Sequence, residues 1–249
     1  MNEKTLLETL RKLERNRLSL YEPYSKQREF HTAGATKTQR LLMAGNQLGK
    51  TLSGAAETAM HCIGGDYYPS WWEGKRFDHP VQVWAAGVTT EGTRDNPQRM
   101  LFGQEGELGT GMIPESCIEK ITLARGLAHS IDTALIRHES GGLSRISFKA
   151  YEQKREKFQG ATLDVLWLDE EPPADVFSEA ITRINAGDHG RGGIAYITFT
   201  PLMGLTDVVS KFFPEPDSVV RHVTHMTIDD VDHYSEERKA EITDAYPAH

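Results

Sequence analysis

Residues 43–54 read Met-Ala-Gly-Asn-Gln-Leu-Gly-Lys-Thr-Leu-Ser-Gly, and no other run in the chain constrains its fold as tightly. An apolar run over Arg40–Gly45 precedes the turn, and a segment with helical character, Lys50–Cys62, follows it. A glycine-bearing turn between strand and helix, closed by Gly49-Lys50-Thr51, has the residue types and the context of a phosphate-binding loop. Glycine lets the backbone turn until successive N–H groups face one point, and the N-terminus of the next helix adds positive potential there. In such a loop Gly45, Asn46, Gln47, Leu48 and Gly49 form the cradle. Lys50 reaches the β- and γ-phosphates, and the Thr51 hydroxyl ligates Mg²⁺. The spacing departs from the usual one: the leading glycine of the pattern falls on Ala44, and Gly45 stands one place later.

The rest of the chain predicts strands and helices in alternation. Apolar runs occur at Val81–Val88, Arg145–Ala150, Val165–Leu168, Ile194–Thr200 and Val219–Thr224. Helical segments are expected at residues 1–20, at about Tyr24–His31, and at Ala174–Ala186, Leu205–Phe213 and Ser235–Ala245. Near-continuous apolar strands alternating with helices imply an α/β fold, with a mostly parallel sheet covered on both faces. The aromatic stretch Gly64–Pro80 reads as an ordered surface excursion, with Trp71 and Trp72 used for packing. Residues Gly103–Gly111 read as a loop, and Arg125–Ser144, with Gly141-Gly142, as a hairpin.

A second signal is Val165-Leu166-Trp167-Leu168-Asp169-Glu170-Glu171. Four apolar residues ending in acids read as a buried strand whose carboxyl tip reaches solvent, the edge where open α/β sheets bind ligands. Asp169 would hold Mg²⁺ through its water shell. Glu170 would orient and deprotonate a water. The pairing of this strand with the phosphate loop makes a nucleotide-hydrolysing site the reading, with ATP and Mg²⁺ as its ligands.

Composition narrows the class further. A formal charge of −8 excludes a protein that binds nucleic acid over its whole surface by counterion release. The chain is 38% hydrophobic and 26% charged, and no apolar run approaches the roughly 20 residues that span a bilayer. The N-terminal segment is charged and lacks the apolar stretch of a secretory signal, so a cytoplasmic protein with no membrane partner is expected. Cys62 and Cys117 are the two cysteines, and they stand without ligand spacing for zinc.

Four blocks in order resemble the phage terminase large subunit, the DNA-packaging motor. Pro23-Tyr24-Ser25-Lys26-Gln27-Arg28-Glu29-Phe30 is similar to its adenine motif, and the phosphate loop follows. Tyr151–Gly160, running through Leu163-Asp164 to Glu170-Glu171-Pro172-Pro173, resembles its acidic-strand region. Thr198-Phe199-Thr200-Pro201 resembles its coupling motif, and Thr227-Ile228-Asp229-Asp230 resembles the end of its ATPase region. The resemblance implies a P-loop ATPase of the additional-strand type, related to RecA and helicases. Residues 1–35 would be an N-terminal helical and adenine-motif segment packed on the core, and 36–249 the ATPase core. It implies that Gln27 reads adenine, with Tyr24 or Phe30 stacking on the base or packing nearby, and that Thr198, Thr200 and Pro201 couple hydrolysis to motion. It further implies a ring, usually pentameric, working with double-stranded DNA, a capsid portal protein and a terminase small subunit in the host cytoplasm. The family's C-terminal nuclease is not expected in this sequence, because no triad of spaced acids follows.

Phosphoryl transfer calls for an arginine near the developing charge. The two positions where relatives carry it hold Asn46 and Gln159 here. Arg155 is the candidate, acting in trans, with Arg183 and Arg191 behind it. Two other functions stay open at this point: a helicase-like or DNA-repair ATPase fragment, and a module that binds ATP without turning it over.

Overall fold

The computed structural model describes residues 15–201, 204, 206–213 and 218–244. Most of the helix expected over residues 1–20 lies outside them, and Arg17–Leu20 within it forms a 3-10 turn. Eight strands make one sheet: β1 (Gln39–Ala44), β2 (Gln82–Gly87), β3 (Ile118–Leu123), β4 (Ile131–Arg137), β5 (Leu143–Ala150), β6 (Val165–Asp169), β7 (Ile194–Phe199) and β8 (Arg221–Met226). Their spatial order is β3-β4-β5-β2-β6-β7-β1-β8. The six strands from β5 to β8 in this order run parallel, while β3 and β4 add an antiparallel edge. The strand carrying the phosphate loop, β1, and the acidic strand, β6, are therefore not neighbours, because β7 lies between them. This interposed strand is the additional-strand arrangement that the sequence implies.

The helices are α1 (Ser25–Ala33), α2 (Lys50–Ile63), α3 (Thr90–Thr93), α4 (Arg99–Phe102), α5 (Ala174–Ile181), α6 (Asp207–Ser210) and α7 (Glu236–Asp244). Every residue of β6 and β7 is buried, and alternate side chains feed two separate cores. Leu42, Val83, Val165, Trp167 and Tyr196 face the core under α1 and α2. Leu41, Leu166, Leu168 and Ile197 face the core under α5, with Phe158 and Phe177. Sheets buried on both faces need such continuous apolar strands, which explains why β1, β2, β6 and β7 were legible as runs.

Residues 64–80 form the expected ordered surface segment, most of its positions exposed or half-buried, but its rings turn inward. Tyr68, Trp72 and Phe77 are buried against α2, their rings meeting His61 at 5.1–5.8 Å. They cover the face of α2 that the sheet leaves open, which offsets the cost of ordering a loop rich in glycine and proline. Strands β3 and β4 went unread as separate strands. β3 lies at the sheet margin with only Ile118 and Ile121 half-buried and its other residues exposed, and it carries no apolar run. The hairpin expected over 125–144 is the β4–β5 turn, where Gly141 and Gly142 take φ of 91° and 84°, a region that favours glycine. The helix expected over Ala174–Ala186 ends at Ile181 and tightens into a 3-10 turn, Thr182–Ile184, while the start of the one expected at Leu205 lies outside the described residues.

Candidate nucleotide-binding site

The phosphate loop bridges the end of β1 and the start of α2. Gln47 and Gly49 take left-handed conformations, φ 62° and 82°, which turn successive peptide N–H groups to one side. Behind the loop stands Gln27 of α1, only 2% exposed. Its Nε2 donates to the carbonyls of Leu48 and Gly49 at 3.4 and 3.3 Å, and its Oε1 accepts from the Tyr24 N–H at 2.9 Å. A Cβ at position 49 would stand 2.8 Å from that Nε2, so the loop carries glycine where α1 presses against it. Ser53 Oγ donates to the Gly49 carbonyl at 3.1 Å and accepts from the Tyr21 hydroxyl at 3.1 Å.

Beneath this contact lies a charge cluster that the sequence did not reveal. Glu57 of α2 is fully buried and accepts hydrogen bonds from Arg40 and, at 2.7 Å, from His31 Nδ1, while His61 Nε2 lies 3.3 Å away. Burial alone would raise its pKa, but the Arg40 guanidinium and the two imidazoles hold it well below the usual carboxylate value. The cluster ties α1, β1 and α2 together under the loop. Its only sequence signals are polar residues at buried positions of amphipathic segments.

The acidic strand meets the loop from the other side of β7. The Thr51 hydroxyl donates to Asp169 Oδ1 at 3.0 Å, joining residues 118 positions apart. Lys50 Nζ lies 3.6 Å from Glu170 Oε1. Thr198 is fully buried at the end of β7, and its hydroxyl also donates to Asp169 Oδ1, at 2.8 Å. Among the described residues Asp169 Oδ2 accepts no hydrogen bond. Burial raises the Asp169 carboxyl to about 7, and neighbouring Glu170 adds to the rise. A hydroxyl oxygen and a buried carboxylate are hard oxygen donors, the set that suits Mg²⁺ with waters and phosphate oxygens completing its shell. Residues Thr51 and Asp169 thus fit the ion, whose charge would compensate the buried anion.

Glu170 itself is at φ 62°, outside the strand geometry of Asp169. That turn aims its side chain back at Lys50, and its Oε2 accepts from the Thr200 N–H at 3.2 Å. The Thr200 hydroxyl donates to Asn46 Oδ1 in the phosphate loop at 3.1 Å. Tyr151 was not singled out from the sequence, yet its buried hydroxyl lies 3.0 Å from the carbonyls of both Asp169 and Glu170. Pro201 follows Thr200 and is exposed.

Lys50, Thr51, Asp169, Glu170, Thr198, Thr200, Asn46 and Gln27 are therefore gathered within one region. Phe30 is not available to stack on a base: it is wholly buried against Tyr196. Tyr24 is part-exposed, and its hydroxyl bonds His233 Nδ1 at 2.7 Å. Arg155 lies apart, more than half exposed on the 3-10 turn Arg155–Phe158, with Nε 3.6 Å from Glu179. Arg183 also pairs with Glu179, and Arg191 with Asp188.

A family model described as terminase large subunit, T4likevirus-type, N-terminal, matches residues 41–249. A terminase large subunit of Salmonella phage P22 is 41% identical over 98% of this chain and 52% of its own length. One of Enterobacteria phage LP7 is 30% identical over 98% of the chain and 54% of its own. The chain thus spans about half the length of these relatives. Among solved structures, the large terminase of a thermophilic bacteriophage in complex with ADP superposes with a TM-score of 0.60 at 16% identity, covering 91% of this chain and 51% of that one. The large terminase ATPase domain of Thermus phage P74-26 superposes with a TM-score of 0.54 at 22% identity, covering 85% of this chain and 82% of that one.

Proposed function

The chain belongs to the terminase large-subunit family, and from that membership we propose that it is the ATPase motor domain that drives double-stranded DNA into a viral procapsid. The observation that carries the proposal is the convergence of two distant motifs, with Thr51 on Asp169 and Lys50 facing Glu170. A large terminase of the same fold in complex with ADP supports a nucleotide as the ligand.

In this reading the triphosphate lies along the N–H groups of residues 45–51, and Lys50 leaves Glu170 for the β- and γ-phosphate oxygens. Glu170, freed of that pairing, takes a proton from the attacking water, a role worth about 10²–10⁴-fold in rate. Thr51 and Asp169 would hold Mg²⁺, which would supply positive charge to offset the charge that develops during transfer. Tyr24 and Gln27 face the base, and Gln27 exchanges one of its internal bonds for the adenine edge. Thr200 links the Glu170 carboxylate to Asn46 of the phosphate loop, so loss of the γ-phosphate alters both ends of that link, and Thr200 and Pro201 pass the change on as motion. Thr198 takes part by holding Asp169. Arg155 of a neighbouring subunit completes the site in a ring, a pentamer in this proposal. Capsid portal, terminase small subunit and duplex DNA are the partners, and host cytoplasm the location. Among the described residues no helix is long and apolar enough to cross a membrane.

The test is ATP turnover by the full-length protein against Glu170→Gln, with and without portal, small subunit and duplex DNA. Wild type should turn over and be stimulated by the assembly. Glu170→Gln should bind ATP and lose at least about 100-fold in rate. Stimulation by single strands alone, with unwinding, would point to a helicase. ATP binding without turnover in any assembly would point to a passive nucleotide module.

A further inference from the structure

Trp167 is the largest fully buried side chain among the described residues, and it lies two residues before Asp169 on β6. We propose that Trp167 is a positioning residue for the metal-holding carboxylate of Asp169, acting through the hydroxyl of Thr198. The inference rests on the ATP and Mg²⁺ reading above and adds to it a residue that touches neither ligand.

The hydrogen-bond directions leave one arrangement. An indole N–H donates and cannot accept. The Trp167 Nε1–H donates to Thr198 Oγ1 at 2.8 Å. A hydroxyl has a single hydrogen, so the Thr198 O–H is left to donate to Asp169 Oδ1, also at 2.8 Å. Trp167 and Thr198 are both wholly buried, which keeps water from replacing either partner. Thr51 delivers the second bond to the same oxygen. Two donors fixed on Oδ1 set the plane of the carboxylate and leave Oδ2 for the ion's water shell. Partners of this kind behind a metal ligand commonly change affinity by about 10–100-fold when removed.

The ring also gauges the distance across the site. A Cβ on Gly54 would stand 2.5 Å from the indole Cε2 and Nε1, so the ring lies directly on α2, one turn beyond Thr51. One rigid side chain thus touches the helix that begins at the phosphate loop and orients the acid on its own strand, β6, two places from β1 in the sheet. Phenylalanine at position 167 would keep much of the packing and lose the N–H. The Thr198 hydroxyl could then rotate away from Asp169.

The test uses the full-length protein with Mn²⁺ as the metal probe, its free concentration read by electron paramagnetic resonance in the presence of a non-hydrolysable ATP analogue. ADP affinity is measured separately in EDTA. Trp167→Phe and Thr198→Val should each weaken Mn²⁺ binding by about tenfold or more while leaving metal-free ADP affinity within about twofold. Thr198→Ser, which restores the hydroxyl, should recover most of the loss seen in Thr198→Val. Unchanged Mn²⁺ affinity in both variants overturns the proposal, and so does a parallel loss of metal-free ADP binding, which would mark a general packing defect. Thr198→Val changes little volume and so keeps the test valid if Trp167→Phe does not fold. Failure of the wild type to bind Mn²⁺ with the analogue would instead overturn the nucleotide reading itself.

Discussion

Glu170 adopts a left-handed backbone conformation that costs a non-glycine residue roughly 1–2 kcal/mol. The cost is offset locally: the Tyr151 hydroxyl shares its one hydrogen between the carbonyls on either side of that twist, and the Glu170 carboxylate meets Lys50 and the Thr200 N–H. Tyr151→Phe should therefore lower kcat by about 10–100-fold through misplacement of Glu170, with ATP affinity changed little. Steady-state turnover beside equilibrium nucleotide titration checks this, and a loss confined to ATP affinity would contradict it. At this scale the sequence was informative where chemistry repeats across proteins. Lys50, Thr51, Asp169 and Glu170 were legible because phosphate and metal binding allow few residue types at those places. Tyr151 and Trp167 were not, since each acts through a backbone carbonyl or a hydroxyl brought near by strands far apart in sequence.

At the amino-terminal ends of the central parallel strands, the connecting segments are joined by Asp188, which follows α5. It accepts from Lys75 at 2.7 Å, His79 at 3.0 Å and Arg191 at 2.7 Å, tying the 64–80 segment to the turn before β7. Burial would raise the Asp188 carboxyl, but these donors prevail and lower it to about 2. A carboxyl depressed on folding adds stability above its unfolded value of about 3.9, and that contribution fades as pH falls through about 2. Urea unfolding of wild type and Asp188→Asn should differ at pH 5 and converge toward pH 2; a gap independent of pH would count against the carboxylate. The central parallel strands were readable as apolar runs because both their faces are buried. The edge strand β3 was not, since half of the signal is lost where one side faces solvent. In the 64–80 segment the glycines and prolines read as surface, which it is, while the α2 face that its rings cover left no local signal.

For the whole molecule, the described chain holds every residue of the proposed site except an arginine at the γ-phosphate. Arg155 is exposed and paired with Glu179 at only 3.6 Å, free to serve a neighbour at little cost. Arg155→Ala should bind ATP like wild type and lose the turnover stimulated by assembly, by about 10³-fold or more. Normal stimulated turnover would dismiss it. The fold class was legible at this scale because apolar strands alternate with helices and the motifs occur together, although their order along the chain (β1, β6, β7) differs from their order in the sheet (β6-β7-β1); a residue that acts across an interface leaves no mark within one subunit. The placement of β7 has a mechanical consequence. Its tip is level with both flanking strands, Thr198 opposite Asp169 and Phe199 opposite Met43. In the proposed motor, any shift of the lysine-bearing turn relative to the acidic pair would be borne by this middle strand, the shuttle of a three-part slider.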